Sequence, residues 1–150
     1  MFDLQDLYQE VLMDHNRRPR NFRKLDNANR TADGFNPLCG DKIVLYLDVE
    51  DGLITDVGFQ GAGCAISRAS ASMMTDSIRG KTVEEAEELF SGFRQLITRQ
   101  PGEDVDTEAL GDLEVLGGVA AFPARIKCAT LSWHTLKAAL NGKVEAVTTE

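Results

Sequence analysis

Two runs of alternating apolar residues, joined by a short acidic turn, constrain the fold of this chain more than any other feature. The first run covers residues 43–49 and the second covers residues 53–59. Glu50-Asp51-Gly52 lies between them, and an Asp-Gly pair favours a hairpin because glycine tolerates the positive φ that the turn requires. The pattern therefore predicts an antiparallel pair of strands. The residues expected to alternate along one face are Ile43, Leu45, Leu47 and Val49 in the first strand and Leu53, Thr55, Val57 and Phe59 in the second.

Helical patterns occupy most of the remaining chain. Apolar residues recur at helical spacing in residues 3–17, and Pro19 ends that segment. Thr82 and Glu85 have the spacing of a capping box, which predicts a helix from there to about residue 98. Further helices are predicted over residues 65–79, 111–119 and 128–140, whereas residues 16–37 are predicted to form an extended linker or an irregular edge strand.

Length and charge limit the classes of protein to which the chain can belong. A chain of 150 residues favours one domain with a single core, here residues 1–150 with a frayed tail over 143–150. The net charge of −8 disfavours a nucleic-acid partner. No run of about 18 apolar residues exists to span a membrane. Because the first six residues carry acids where a signal peptide needs bases, a cytoplasmic protein is expected.

The three cysteines lie where loops meet regular elements. Cys39 precedes the hairpin, Cys64 follows it, and Cys128 opens the last predicted helix. An odd count without a secretion signal argues for thiol or metal chemistry rather than a disulfide framework. Cys64 and Cys128 are expected at helix N-termini, where the helix dipole favours a thiolate. The alternative is that all three are small buried hydrophobic residues, and their spacing matches no short zinc motif.

Asp41 is a fourth candidate ligand, two residues after Cys39. Its simpler role is a solvated or capping carboxylate at the start of a strand. Its alternative role is that of an oxygen ligand, because three thiolates and one carboxylate complete a tetrahedral zinc shell. Such a shell carries excess negative charge, which Arg125 and Lys127 beside Cys128 would offset. A protonated lysine has no lone pair, so Lys127 is expected outside the ligand shell.

The two histidines and the bulky core candidates have simpler interpretations. His15 is expected to be a surface residue near the end of the first helix, where its charge suits the dipole. His134 and Cys128 are six residues apart and project from different sides of a helix, so neither histidine is expected to bind metal. Met73-Met74 and Trp133 are expected in the core.

Several longer motifs are distributed over nearly the whole chain. The most specific are NPLCGD at 36–41, FQGAGCAIS at 59–67, ASASMMT at 69–75 and FPARIKCATL at 122–131, supported by shorter matches at 7–8, 13–15, 19–21, 111–113 and 117–119. On these motifs the chain resembles the IscU/NifU-like family of iron–sulfur cluster assembly proteins, specifically its SufU branch. Two features indicate this branch. Lys127 stands where IscU-type scaffolds have a histidine, and the segment between the second and third cysteines, around residues 90–114, is longer than in those scaffolds.

The resemblance implies a fold and a function. The fold is α+β, with a small three-stranded antiparallel sheet packed against five to six helices, and the third strand comes from residues 28–35. The implied function is zinc-dependent sulfur transfer, in which Cys39 accepts sulfane sulfur from a PLP-dependent cysteine desulfurase and passes it toward cluster assembly. The implied metal ligands are Cys39, Asp41, Cys64 and Cys128, with Arg125 and Lys127 outside them.

Two other functions remain open at this point. The same four residues could assemble a [2Fe–2S] cluster and transfer it to apo-proteins, because cysteine thiolates are the usual ligands of such clusters. A purely structural zinc domain is the third. The sequence alone does not decide between an enzyme, which would be a zinc-dependent sulfurtransferase, and a scaffold without activity of its own.

Overall fold

The computed structural model describes residues 4–100, 102–142 and 147–148. A helix, α1, precedes three strands, which are followed by two helices, a 3₁₀ segment and the longest helix. The bounds are α1 Leu4–Arg17, β1 Arg30–Asn36, β2 Asp41–Glu50, β3 Leu53–Ala62, α2 Ala65–Ile78, α3 Val83–Ile97, the 3₁₀ segment Glu108–Ala121, α4 Pro123–Leu140 and β4 Val147–Thr148. No helix in these ranges is both long and apolar enough to cross a membrane.

The sheet has the strand order β3-β2-β1-β4. Both β1–β2 and β2–β3 are antiparallel, which confirms the predicted hairpin and the predicted three-stranded antiparallel sheet. The predicted third strand at 28–35 corresponds to β1. A two-residue strand, β4, adds parallel pairing of Val147 with Gly34 and of Thr148 with Phe35, which the sequence did not predict. The rest of the predicted tail, 143–146 and 149–150, lies outside the described residues.

One face of the hairpin forms part of the core, but the buried residues at the start of β3 differ from those predicted. Val49 pairs with Ile54 while Asp48 pairs with Asp56, so Thr55 is an extra residue that forms a bulge. The bulge shifts the alternation by one position at the start of β3. Ile54 is therefore fully buried, whereas Leu53 and Thr55, both predicted on the inner face, are exposed.

The helices agree with the predicted pattern except in two places: the helix predicted over residues 111–119 is part of a 3₁₀ segment, Glu108–Ala121, and α4 begins earlier than predicted. The capping box of α3 is complete: Glu85 N–H donates to Thr82 Oγ1, and Thr82 N–H donates to Glu85 Oε1, each at 3.1 Å. The last helix was predicted to begin at Cys128, but it begins at Pro123. Proline suits the first turn of a helix because its missing N–H has no partner there. Cys128 consequently lies in the second turn, away from the helix N-terminus.

Helix α4 packs against the sheet, α2, α3 and the 3₁₀ segment. Trp133 in its middle is fully buried and stacks on Phe93 and Phe90, with ring centroids 4.7 and 5.7 Å away. The Trp133 indole N–H donates to Ser70 Oγ on α2 at 3.2 Å. Met73, Met74 and Trp133 are core residues as predicted. The position of α4 on the sheet fixes the position of its N-terminal turns, which carry Cys128.

His15 is a buried residue, and the prediction of a surface position was wrong. Only 6% of the residue is exposed, and its Nδ1 forms a 2.7 Å hydrogen bond with Ser72 Oγ on α2. The backbone N–H of Arg20 donates to the same hydroxyl at 2.8 Å. The Ser72 hydroxyl therefore links both α1 and the segment after it to α2 by hydrogen bonds. Burial lowers the pKa of His15, and the nearby Arg20 lowers it further, whereas Asp14, Asp76 and Asp112 raise it.

The depressed pKa predicts a loss of stability in mild acid. Because its pKa is lowered by folding, His15 favours the neutral form in the folded state. Its contribution to the free energy of unfolding is complete above its pKa in the unfolded chain, about 6.5, and is lost as the pH falls through its pKa in the folded protein. Burial also lowers the pKa of His134, which adds to the same loss of stability in acid. We expect the free energy of unfolding, measured by urea denaturation, to fall between about pH 7.5 and 5.5. His15→Asn, which cannot titrate, should show a shallower fall; equal slopes for the two proteins would contradict the prediction.

Candidate metal centre

Three cysteines and one aspartate from four different elements converge at one end of the sheet. Cys39 lies in the turn between β1 and β2, and Asp41 is the first residue of β2. Cys64 is the N-cap residue of α2, as expected for a helix N-terminus, and Cys128 lies in the second turn of α4. The end of β1, the start of β2 and the end of β3 all lie at this end of the sheet, so residues distant in sequence become neighbours there.

The side-chain atoms lie at distances that suit a single metal ion. Cys39 Sγ and Cys128 Sγ are 3.4 Å apart, and these two atoms and a carboxylate oxygen of Asp41 all lie within 4.8 Å of one another. Cys64 Sγ lies 3.9 Å from Asp41 Oδ2. Two sulfurs on one tetrahedral zinc ion are roughly 3.8 Å apart, given a Zn–S bond of about 2.3 Å. The spacing of Cys39, Asp41 and Cys128 therefore fits a zinc ion, and Cys64 lies beside this group next to Asp41.

Burial differs sharply among the four residues. Asp41 is 0% exposed and Cys128 is 3% exposed, whereas Cys64 is half-buried and Cys39 is exposed. A buried carboxylate beside three thiols is costly if the groups ionise without a cation. The site thus combines two buried groups, the side chains of Asp41 and Cys128, with one thiol, that of Cys39, which reaches the surface.

A close approach of the Asp41 side chain to the backbone at Gly63 and Cys64 sets the position of Asp41 relative to Cys64. The Cys64 N–H donates to Asp41 Oδ1 at 2.8 Å. Gly63 makes this contact possible, because a Cβ atom at that residue would lie 2.5 Å from the same carboxylate oxygen. Cys64 Sγ in turn accepts a hydrogen bond from the Ser67 N–H at 3.4 Å, the usual N-cap contact.

The electrostatics of Cys128 differ from the prediction. Burial raises the pKa of the Cys128 thiol, and hydrogen bonds with the thiols of Cys39 and Cys64 raise it further. The helix dipole does not favour its thiolate, because α4 begins at Pro123, a turn earlier than predicted. Burial and these hydrogen bonds thus favour the neutral thiol, whereas bound positive charge would favour its ionisation.

The two basic residues expected outside the ligand shell lie on the surface next to Cys128. Arg125 and Lys127 are both exposed, and the Arg125 guanidinium lies 4.9 Å from the centre of the Phe122 ring. Within the described part of the chain neither side chain forms an ion pair with Asp41. Their role in offsetting negative charge at the site stays a prediction.

Asn36 touches the site and was missed by the sequence reasoning. Its side chain is fully buried and lies within hydrogen-bonding distance of both Asp41 and Cys128. The only signal in the sequence is its place before Pro37 in the NPLCGD segment, which indicates a turn but no contact with Cys128. His134, by contrast, packs edge-on against the Phe90 ring at 5.4 Å.

Comparisons with known proteins agree with the fold. A model of the NifU-like N terminal domain matches residues 7–129. The zinc-dependent sulfurtransferase SufU of Bacillus subtilis is 47% identical over 135 residues, which cover 90% of each chain. The iron–sulfur cluster assembly scaffold protein IscU of Streptococcus pyogenes is 43% identical over 143 residues, or 95% of this chain and 88% of that one.

A solved structure shows the same architecture. The crystal structure of a protein from Fervidobacterium islandicum, assigned to cluster assembly in the SUF system, superposes with a TM-score of 0.82 at 36% identity. The match covers 92% of this chain and 99% of the other. The resemblance seen in the sequence motifs is thereby confirmed, and the chain belongs to the NifU-like N-terminal domain family of iron–sulfur cluster assembly proteins.

Proposed function

We propose that this protein is a zinc-binding sulfur carrier that takes sulfane sulfur from a PLP-dependent cysteine desulfurase. The observation that carries the proposal is the convergence of Cys39, Asp41 and Cys128 within 4.8 Å, with Cys39 as the exposed member. Similarity to a relative named as a zinc-dependent sulfurtransferase supports it. The proposed location is the cytoplasm, where thiols stay reduced.

The proposed zinc ligands are Cys39, Asp41, Cys64 and Cys128. When bound, zinc would supply the positive charge that keeps the cysteine side chains deprotonated. Asp41 and Cys128 form the buried side of the site. The Cys64 side chain is held by its N-cap hydrogen bond to the first turn of α2. Arg125 and Lys127, which flank the site on the surface, would offset the remaining negative charge.

Cys39 is the proposed sulfur acceptor because of its position. Its thiol is exposed on a turn, whereas Cys64 is half-buried and Cys128 is buried. The Cys39 thiolate would attack the terminal sulfur of a persulfide on the desulfurase, as in thiol–disulfide exchange. A bond forms between Cys39 Sγ and that sulfur while the bond to the desulfurase cysteine breaks, and the desulfurase cysteine leaves as a thiolate. No net oxidation or reduction occurs.

The second candidate function is a scaffold that assembles a [2Fe–2S] cluster as cargo and transfers it to apo-proteins. Three thiols and a carboxylate at one site would suit this cargo as well. Similarity to relatives named as IscU scaffolds supports this alternative. Both functions require a downstream protein that accepts either sulfur or a cluster.

Metal analysis followed by turnover assays separates these functions. We expect freshly purified protein to contain about one zinc per chain and to increase desulfurase turnover, and we expect the metal-free protein to lose this effect. Anaerobic incubation with iron and sulfide is the matched experiment. A stable cluster that transfers to an apo-acceptor would instead favour the scaffold. Zinc without any effect on the desulfurase would indicate a structural zinc domain.

Removal of the Asp41 carboxylate should weaken metal binding without abolishing it. We expect Asp41→Ala to retain zinc through three thiolates but with an affinity at least about tenfold lower, measured by chelator competition. Asp48→Ala, at the other end of β2, is the control and should bind zinc like the parent protein. Unchanged zinc affinity and unchanged desulfurase activation in Asp41→Ala would exclude Asp41 as a ligand.

A further inference from the structure

Asn36, the last residue of β1, contacts the proposed metal site without being one of its proposed ligands. The residue is 0% exposed. Its Nδ2 group donates to Asp41 Oδ2 at 3.3 Å and lies 3.6 Å from Cys128 Sγ. Its Oδ1 atom accepts a hydrogen bond from the Leu38 backbone N–H at 3.3 Å. A single side chain thus contacts two proposed ligands and the turn that carries the third, Cys39.

The neighbours of this amide determine which of its ends faces the site. The Leu38 N–H can only donate, so it requires the amide oxygen on its side. The Asp41 carboxylate can only accept when ionised, so it requires the amide nitrogen. If the amide were rotated by half a turn, its oxygen would face the Asp41 carboxylate and its NH₂ group would face the Leu38 N–H. The observed orientation therefore follows from the surroundings.

The chemistry of a primary amide matches this position closely. Its nitrogen has two hydrogens, one for the Asp41 carboxylate and one for the Cys128 sulfur, and its oxygen serves the turn. Both contacts place partial positive charge against groups that carry negative charge when a metal is bound. Aspartate has the same shape but would present an oxygen to both groups, and serine is too short to reach them from β1.

We infer that Asn36 is a positioning residue for the proposed zinc centre, an inference that depends on the proposed function. Asn36 holds Asp41 and Cys128 in place by hydrogen bonds from its Nδ2 group, and it holds the Cys39 turn through Leu38. Hydrogen-bond partners of metal ligands contribute about 10- to 100-fold to metal affinity. Loss of the Nδ2 donors should weaken zinc binding by a factor in this range.

Two variants separate the donor function of Asn36 from its function in the turn. Asn36→Asp keeps the acceptor for the Leu38 N–H but replaces the donor group by an oxygen. Asn36→Ser is neutral, and its hydroxyl can still accept from the Leu38 N–H in a local turn. The matched control is Asn29→Asp, because the bonds of the Asn29 side chain to described residues all go to the backbone of Val49, at the other end of the β1–β2 ladder.

The experiment measures zinc affinity by chelator competition and the visible spectrum of the protein loaded with Co²⁺. We expect both Asn36 variants to bind zinc about 10- to 100-fold more weakly than the parent, with shifted cobalt ligand-field bands. Asn29→Asp should match the parent in both measurements. A loss of thermal stability alone would not shift the bands, so the spectrum distinguishes positioning from a general structural effect.

Each result decides the matter in one direction. If Asn36→Ser binds zinc within about threefold of the parent with an unchanged cobalt spectrum, the inference is wrong. If Asn36→Asp does not fold, as judged by circular dichroism, the Asn36→Ser result stands alone and decides. If the parent and Asn29→Asp bind neither zinc nor Co²⁺ while remaining folded, the proposed zinc function fails, and the inference fails with it.

Discussion

Cys39→Ser is expected to reduce sulfur loading from a cysteine desulfurase by at least about 100-fold, because a serine hydroxyl is a poor nucleophile at neutral pH. The measurement is the intact mass of the protein after incubation with desulfurase and cysteine, with a single-sulfur adduct as the signal. Stimulation of desulfurase turnover should disappear in the same variant. The fold should be retained, because Cys39 is exposed on a turn.

Cys64→Ser is the matched comparison for this result. It removes a thiol that is less exposed, and it leaves the Cys39 thiol in place. We expect it to weaken metal binding but to retain measurable loading of sulfur. Normal loading of Cys39→Ser would show that Cys64 or Cys128 accepts the sulfur, and the proposed role of Cys39 would then be wrong.

Gly34→Ala is expected to destabilise the protein by about 2–3 kcal/mol, the effect of inserting a group into a filled core. Gly34 lies on β1 directly beneath α4. A Cβ atom there would overlap Thr135 Oγ1 and would lie 3.0 Å from Ile43 Cγ2. Thr135 is itself fully buried and donates to the Leu131 carbonyl at 2.7 Å, so it cannot move aside freely. The free energy of unfolding in urea measures the loss.

A second substitution in the facing helix tests the cause. Thr135→Ala removes the overlapping hydroxyl, so Gly34→Ala combined with Thr135→Ala should be less destabilised than the sum of the two single variants. Gly118→Ala is the control, because a Cβ atom there would meet no other described part of the chain within 4 Å, its own helix and neighbours aside. Strictly additive effects at positions 34 and 135 would contradict the steric explanation.

Local patterns predicted the elements whose stability depends on nearby residues. The hairpin turn and the α3 capping box involve contacts over a few residues, and both form as expected. The bulge at Thr55 and the start of α4 at Pro123 were not predicted. In each case the pattern of apolar residues is compatible with two registers or two starts, and packing against the rest of the protein selects one. The parallel pairing of β4 with β1 joins residues more than a hundred positions apart and has no local signal.

Of the candidate site, the sequence predicted the proposed metal ligands but not the residues that hold them in place. Cysteines and an aspartate stand out as metal-binding residue types, and the family motifs indicated which ones to consider. Asn36 and His15 are ordinary polar residues whose importance depends on partners 92 and 57 positions away. Nothing in their own neighbourhood distinguishes a buried hydrogen bond from an exposed side chain. Burial and long-range contacts therefore had to come from the structure.

The turn that carries Cys39 is closed by its own hydrogen bonds, from the Gly40 N–H to the Asn36 carbonyl and from the Leu38 N–H to Asn36 Oδ1. The β1–β2 ladder ends just below it, where Asn36 pairs with Asp41. Rotation of the Cys39 side chain toward solvent breaks none of these bonds; it separates the sulfur of Cys39 from the sulfur of Cys128 and from the Asp41 carboxylate. The Cys39 sulfur can therefore change direction while the sheet stays still, so the transfer of sulfane sulfur that we propose for Cys39 requires no unfolding of the domain.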